Sequence, residues 1–301
     1  MATTPSSAIN DALKDRTRIQ TDTYAEILRL LGLAQEQITA ILTAAPSDYQ
    51  SWNLPQLSAA IEKAMADFSL AGNAVIGSSA GTVWESGQAL IDLPMQISGI
   101  QVGSIMPVID NRQLLAMRSF MTGRIKDISV SAANKINSQL GLVVIGAQSP
   151  GAVMGYVAGI LKGEPRNRAR TIVRTELNRV FSVAGSARMS QAEAAGVVMT
   201  KTWRRSGKVH SRAGHDAAHG QTVNVSEKFK ILGADGKTYL LMHPHDPEAP
   251  AAETINCGCV AVPKIKGWNS QVTLPATGQW SNQALRDRAK QFALANGLTT
   301  S

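Results

Sequence analysis

Apolar residues recur every three to four positions through most of this chain, and the spacing predicts helix. Ile9, Leu13, Ile19, Ile27, Leu30 and Leu31 mark one stripe over residues 8–31. Gly32 punctuates it, and Ile38, Ile41 and Leu42 carry it on to Ala45, before Pro46. Leu57, Ile61, Ala64, Met65 and Phe68 repeat the pattern over residues 54–71. Residues 72–110 lose it: they are rich in Gly and Ser, nearly uncharged, and contain Pro94 and Pro107. Broken helix or an extended loop against a partner would each fit that stretch. Helical spacing returns at 111–140 through Leu114, Leu115, Met117 and Met121. The clearest helix runs from about 164 to 195, with Ala169, Ile172, Val173, Leu177, Val180, Ala184 and Ala187 as its stripe and Gly196 as its stop. Along one edge of it Arg166, Arg170 and Arg174 recur at four-residue spacing, and Glu176 can pair with Arg179.

Beyond Gly196 the period changes to that of strands. VVMTKTW is β-branched and carries a Trp, TVNVSEKF and KTYLLM read as two short strands around a GADG turn, and CGCVAVP reads as another. The expected class is therefore α+β: a mostly helical N-terminal region, then a long helix with a small antiparallel β-containing domain. Three segments follow: a helical region over 1–160, an α+β domain over 161–265, and a C-terminal tail over 266–301 with a short basic helix at 282–295.

Composition narrows the class further. Aromatic residues make up 5% of the 301 residues, so the core rests on aliphatic side chains, and base stacking on aromatic rings is a poor fit. Residues 1–150 hold 10 Lys/Arg against 12 Asp/Glu, whereas residues 151–301 hold 20 against 10. Such a local excess suits a polyanion, and a solvated basic face is the plainer alternative. Arg166, Arg170, Lys201, Arg204, Arg205, Lys208 and Arg212 are the residues that could meet phosphates without reading sequence. Residues 136–161 carry no charge and are long enough for a bilayer, but Asn137, Gln139, Gln148, Ser149, Pro150 and several glycines interrupt them. A helix, a turn and a second helix in a core is expected there, not a membrane span. The first twenty residues show no basic-then-apolar signal pattern.

All five histidines and both cysteines lie between His210 and Cys259. Imidazole and thiolate bind borderline metals, so this stretch is where special chemistry or bracing is expected. His215 and His219, if helical, would present both rings on one face, and Cys257 and Cys259, if on a strand, would present both sulfurs on one side. Those four could complete a tetrahedral zinc site. Alternatively, the cysteines are small buried hydrophobes and His215 a hydrogen-bonded core residue, or the cysteines close a small strained disulfide ring. His243, Pro244, His245 and Asp246 read as a polar turn with a surface role.

Several pieces in order carry a resemblance. Arg174-Thr175-Glu176 lies on a helix, KTW follows at Lys201–Trp203, then His215 and a Gly-Gln-Thr-Val segment, then MHPHDPEAPAAETINCGC. Together they resemble the Mu F-like phage head morphogenesis family, over about a third of the chain. The resemblance carries over Arg174, Thr175, Glu176, Trp203, His215, Gly220, Asn256, Cys257 and Cys259. It implies a structural minor head protein of a tailed phage, in the virion at the portal vertex or capsid interior and in host cytoplasm during assembly. Its partners would be portal protein, capsid subunits and packaged double-stranded DNA. The chain departs from the pattern before His215, where the family's acidic-basic run is replaced by SGKVHSRAGH, and at His219, where members often have Asp. Two rival classes stay open at this level. One is a metal-dependent nuclease or other His-based phosphodiesterase using His215, Asp216, His219, His245 and Asn256. The other is a non-specific DNA-binding protein. The segment lacks a paired-carboxylate metal site and a phosphate loop, so no catalytic residue is assigned. Arg174 is expected to anchor its helix to the strands through loop carbonyls or a carboxylate.

Overall fold

In the computed structural model the described residues are 4–45, 54–106, 110–207 and 211–265. Lys208, His210 and the tail at 266–301, with its expected helix, lie outside them. Six helices come first: α1 (Pro5–Ala44), α2 (Leu54–Ile97), α3 (Val102–Ile105), α4 (Arg112–Val144), α5 (Pro150–Lys162) and α6 (Glu164–Ala194). Strand β1 (Met199–Arg204), helix α7 (Ala213–Ala217), strands β2 (Thr222–Asn224), β3 (Phe229–Leu232) and β4 (Thr238–Leu241), helix α8 (Ala251–Thr254) and strand β5 (Val260–Ile265) follow. The architecture is α+β and mostly helical, with small antiparallel sheets.

The helices are longer than their punctuation suggested. α1 runs through Gly32, and α2 continues for 44 residues through the Gly/Ser-rich stretch that broken helix or loop would have fitted. The reason is visible at Gly87. A Cβ there would sit 2.6 Å from the Phe181 carbonyl oxygen and 2.8 Å from Ala184 Cβ. The missing side chain lets α2 and α6 approach backbone to backbone, and that close packing offsets glycine's helix cost of about 1 kcal/mol. The uncharged run at 136–161 divides as expected. α4 ends at Val144, and Ser149 caps α5 by accepting from the Ala152 N–H at 3.3 Å, with Pro150 at the first helical position. Among the described residues no helix is long and apolar enough to cross a membrane.

The chain forms two compact units. One comprises residues 19–81 and 112–173. Its core is aliphatic: Ile27, Leu31, Ile38, Ile61, Met65, Ile125, Ile136, Leu140 and Leu161 are all buried. Buried hydroxyls tie its helices together, Ser129 Oγ donating to the Met65 carbonyl at 2.6 Å and Thr23 Oγ1 bonding Ser79 Oγ at 2.7 Å.

The other unit comprises residues 1–18, 82–111 and 174–301 and holds every described strand. β1 lies between β2 and β5, antiparallel to both, with Trp203 opposite Ala261 and Lys201 opposite Val223 and Pro263. β3 and β4 form a separate hairpin whose turn is the GADG segment, Gly233 N–H donating to the Lys237 carbonyl at 2.8 Å. TVNVSEKF is not one strand. A turn at Asn224–Glu227 breaks it, giving β2 to one sheet and Phe229 and Lys230 to the other. In the helical part of this unit Arg188 pairs with Asp92 at 2.6 Å, and Arg16 lies over the Phe181 ring.

Candidate functional site

The site is built around Trp203, which β1 places in the interior with no exposure. His215 meets its ring edge-on at 5.4 Å and Phe229 does so at 5.3 Å. Gly214 allows this. A Cβ there would lie 1.8 Å from the Leu232 carbonyl oxygen, so only glycine lets α7 press against the end of β3. The next residue, His215, is thereby driven into the core at 2% exposure.

His215 is held at both ring nitrogens. Nε2 is 2.8 Å from Glu253 Oε2, whose side chain is also buried. Nδ1 faces two sulfurs, Cys257 Sγ at 3.5 Å and Cys259 Sγ at 3.6 Å. Burial alone would depress the imidazole pKa, but the contacts with Cys257 and Glu253 outweigh it and push it up to about 9. The thiol of Cys257 is shifted well down, first by its bond with Cys259 and further by His245 and His215. Both cysteines are free, so the disulfide alternative does not apply. Neither lies on a strand. They sit in the turn before β5, and the Cys259 N–H donates to Cys257 Sγ at 3.4 Å.

The long helix reaches this turn through residues other than Arg174. Thr175 Oγ1 accepts from the Asn256 N–H at 3.0 Å, and Asn178 Nδ2 donates to the Cys257 carbonyl at 2.9 Å. Arg174 itself is exposed, which corrects the expectation that it anchors the helix. Within the resembling motif the threonine does the holding, and Glu176 pairs with Arg179 at 3.5 Å. Asn178 was missed from sequence, although its place one turn beyond Arg174 was a usable signal. Asn256 adopts φ +56°, a left-handed conformation that asparagine tolerates better than most residues.

His219 does not join His215. Helix α7 ends at Ala217, and Gly220, at φ +86°, turns the chain so that its N–H donates to the Trp203 carbonyl at 2.9 Å. His219 Nδ1 instead accepts from the Arg205 N–H at 3.4 Å. Burial, helped by the Arg205 charge, lowers its pKa to about 4 and keeps it neutral.

The His243–Asp246 turn is buried, contrary to the surface role read from its polarity. Asp246 accepts from the N–H groups of Met242 at 2.7 Å and Glu248 at 2.9 Å. His243 Nδ1 lies 2.9 Å from the Pro244 carbonyl. His245, at φ +65° and 1% exposure, has no hydrogen-bond partner on either ring nitrogen.

The basic residues divide. Lys201 is fully buried, its Nζ donating to the Met242 carbonyl at 2.8 Å, and burial lowers its pKa to about 8. Arg204 donates to Asn10 Oδ1 at 3.0 Å, and Arg205 pairs with Asp216 at 3.2 Å. Arg212 bonds the Ile255 carbonyl at 2.7 Å. Arg166 bonds the Leu161 carbonyl at 3.3 Å, and Arg170 lies exposed over the Tyr24 ring. The carboxylates nearest the cluster are also engaged, Asp216 by Arg205 and Ser211, Glu253 by His215.

Comparison with known proteins bears on the same stretch. Residues 131–262 match the model of the family described as Phage Mu protein F like protein. A segment of 103 residues is 39% identical to the minor head protein GP7 of Bacillus phage SPP1. That segment is 33% of this chain, and the chain spans 30% of the length of that relative. No solved structure matches the chain.

Proposed function

We propose that this chain, whose residues 131–262 match the model of the Mu F-like head morphogenesis family, is a structural minor head protein seated at the portal vertex and capsid interior. The observation that carries the reading is the coincidence of the family match with a site of a bracing kind. The motif residues Thr175, Trp203, His215, Asn256, Cys257 and Cys259 bond to or pack on one another or neighbouring backbone, and the carboxylates beside them, Glu253 and Asp216, are engaged by His215 and Arg205. That arrangement favours a building block over the nuclease alternative.

In this proposal the helical region over 1–160 binds portal or capsid subunits, and the domain over 161–265 is the folded head module. Leu70, Leu115, Phe120 and Val130, all exposed, are the apolar side chains offered to such subunits. Packaged DNA is met through phosphate contacts by Arg166, Arg170, Arg174 and Arg212, since Lys201, Arg204 and Arg205 are used inside the fold. The protein is made in host cytoplasm and retained in the virion.

Localisation tests the first part. Antibody labelling of purified, opened virions should mark a single vertex. Uniform labelling of the shell, or absence from particles, would overturn it. Salt tests the second. Affinity of the full chain for duplex DNA should fall by at least tenfold between low and moderate salt, because each phosphate contact releases a counterion; a flat titration removes the DNA contact.

A further inference from the structure

We propose that His215, His245, Cys257 and Cys259 bind one tetrahedral zinc ion as a closed structural site, with Glu253 as the positioning residue that orients His215. The ligand set differs from the His215/His219 pairing suggested by sequence spacing, and it does not rest on where the protein sits in a particle.

The separations support a shared ion. Zinc lies about 2.3 Å from a thiolate and about 2.0–2.1 Å from an imidazole nitrogen, and tetrahedral angles then separate sulfur from nitrogen by about 3.5 Å. His215 Nδ1 stands 3.5 and 3.6 Å from the two sulfurs, and the three ligand atoms all lie within 4.8 Å of one another. A cysteine nucleophile served by a His–Glu pair would need one sulfur at the base. Here two are nearly equidistant from it, and both cysteines are almost wholly buried.

The outer contacts are those a metal site requires. Glu253 takes up His215 Nε2, which leaves Nδ1, directed at the sulfurs, as the ring nitrogen a metal would take in place of its proton. The Cys259 N–H on Cys257 Sγ stabilises a thiolate. Arg16, whose Nε and Nη1 are buried without hydrogen-bond partners, acts electrostatically on both cysteines and adds positive charge beside them.

His245 is the candidate for the fourth position, which it reaches by a ring movement, because its nitrogens stand outside the set of ligand atoms within 4.8 Å of one another. It is 99% buried, and neither ring nitrogen has a hydrogen-bond partner, an unfavourable state for a buried polar side chain. Its backbone is held at φ +65°, a left-handed conformation that residues with a side chain rarely adopt. A metal–nitrogen bond satisfies the orphaned ring and accounts for the strained placement. A cavity of about 230 Å³, lined by His215, Cys257 and Cys259 together with Ser206, Arg212 and Asn256, gives an ion a way in.

The test uses the untagged full chain, freed of metal under reducing conditions and given zinc alone, then desalted and measured by elemental analysis. About one zinc per chain is expected. His219→Gln should retain it. His245→Gln should bind at least tenfold more weakly, and Glu253→Gln roughly 10–100-fold more weakly. No bound zinc in the unaltered chain, or loss on His219→Gln with full retention on His245→Gln, overturns the assignment. Co(II) in the unaltered chain keeps the test independent of how any variant folds. Tetrahedral visible bands with thiolate charge transfer are expected, and an octahedral spectrum lacking charge transfer contradicts the site.

Discussion

The all-helical unit and the strand-bearing end of the other unit solve the same packing problem in opposite ways. Residues 19–81 and 112–173 bury aliphatic side chains and few polar ones, Thr23, Ser69 and Ser129, none of them charged at any pH. Residues 199–265 bury Lys201, Arg204, Arg205, His215, His243, His245, Asp246 and Glu253. An apolar helical core needs only area, which is non-directional, whereas a buried polar cluster must satisfy each donor and acceptor in one geometry. The difference teaches that the small β end, short of apolar area, obtains a unique structure from directional bonds, and that its failures should be abrupt and local.

The largest expected effect separates these two regimes. His215→Ala leaves the Glu253 carboxylate buried without its partner and both sulfurs without theirs. It should destabilise the strand-bearing end by about 3–5 kcal/mol, the usual cost of breaking a buried charged pair. Thermal unfolding followed by calorimetry checks this; a shift no larger than that of a surface substitution would break the comparison. Leu31→Ala, in the aliphatic core, should cost about 2–5 kcal/mol through lost burial and a residual cavity, and its cost should not vary between pH 5 and 8. Close in size but dependent on pH is His219→Gln. The folded pKa of about 4 lies below the unfolded value of 6.5, so the unfolded chain holds the extra proton between them. Stability from this group is therefore fully present above pH 6.5 and is lost as pH falls toward 4, by up to about 3 kcal/mol. Urea titrations at pH 7 and pH 4.5 should show that loss in the unaltered chain and a smaller one in the variant; equal slopes with pH would remove His219 from the buried network.

What could be read from sequence follows the same division. The stripes through Ile27, Leu31 and Ile38 and through Ala169, Val173 and Leu177 announced their helices, because one face repeats over many turns. The helical state of residues 72–97 was hidden, since Gly87 earns its place through a contact with Phe181 far along the chain. At the site, the clustering of residue types pointed to the segment in which His215, Cys257 and Cys259 meet. The partners did not follow, because a one-residue change of direction at Gly220 separates His219 from His215. Spacing along a chain reports who shares a face only while the element continues, and α7 stops at Ala217. The burial of His243 and His245 was likewise unreadable, since a polar turn looks solvent-facing until its bonding partners are known.

Hydrogen exchange on the full chain, comparing the unaltered protein with His215→Ala, tests most directly whether the buried polar cluster holds the strand-bearing end together. The account predicts that amides in β1, β3, β4 and β5 lose protection together, as one cooperative unit, while those of α4 and α5 keep theirs. Full protection of the strands in the variant would contradict it.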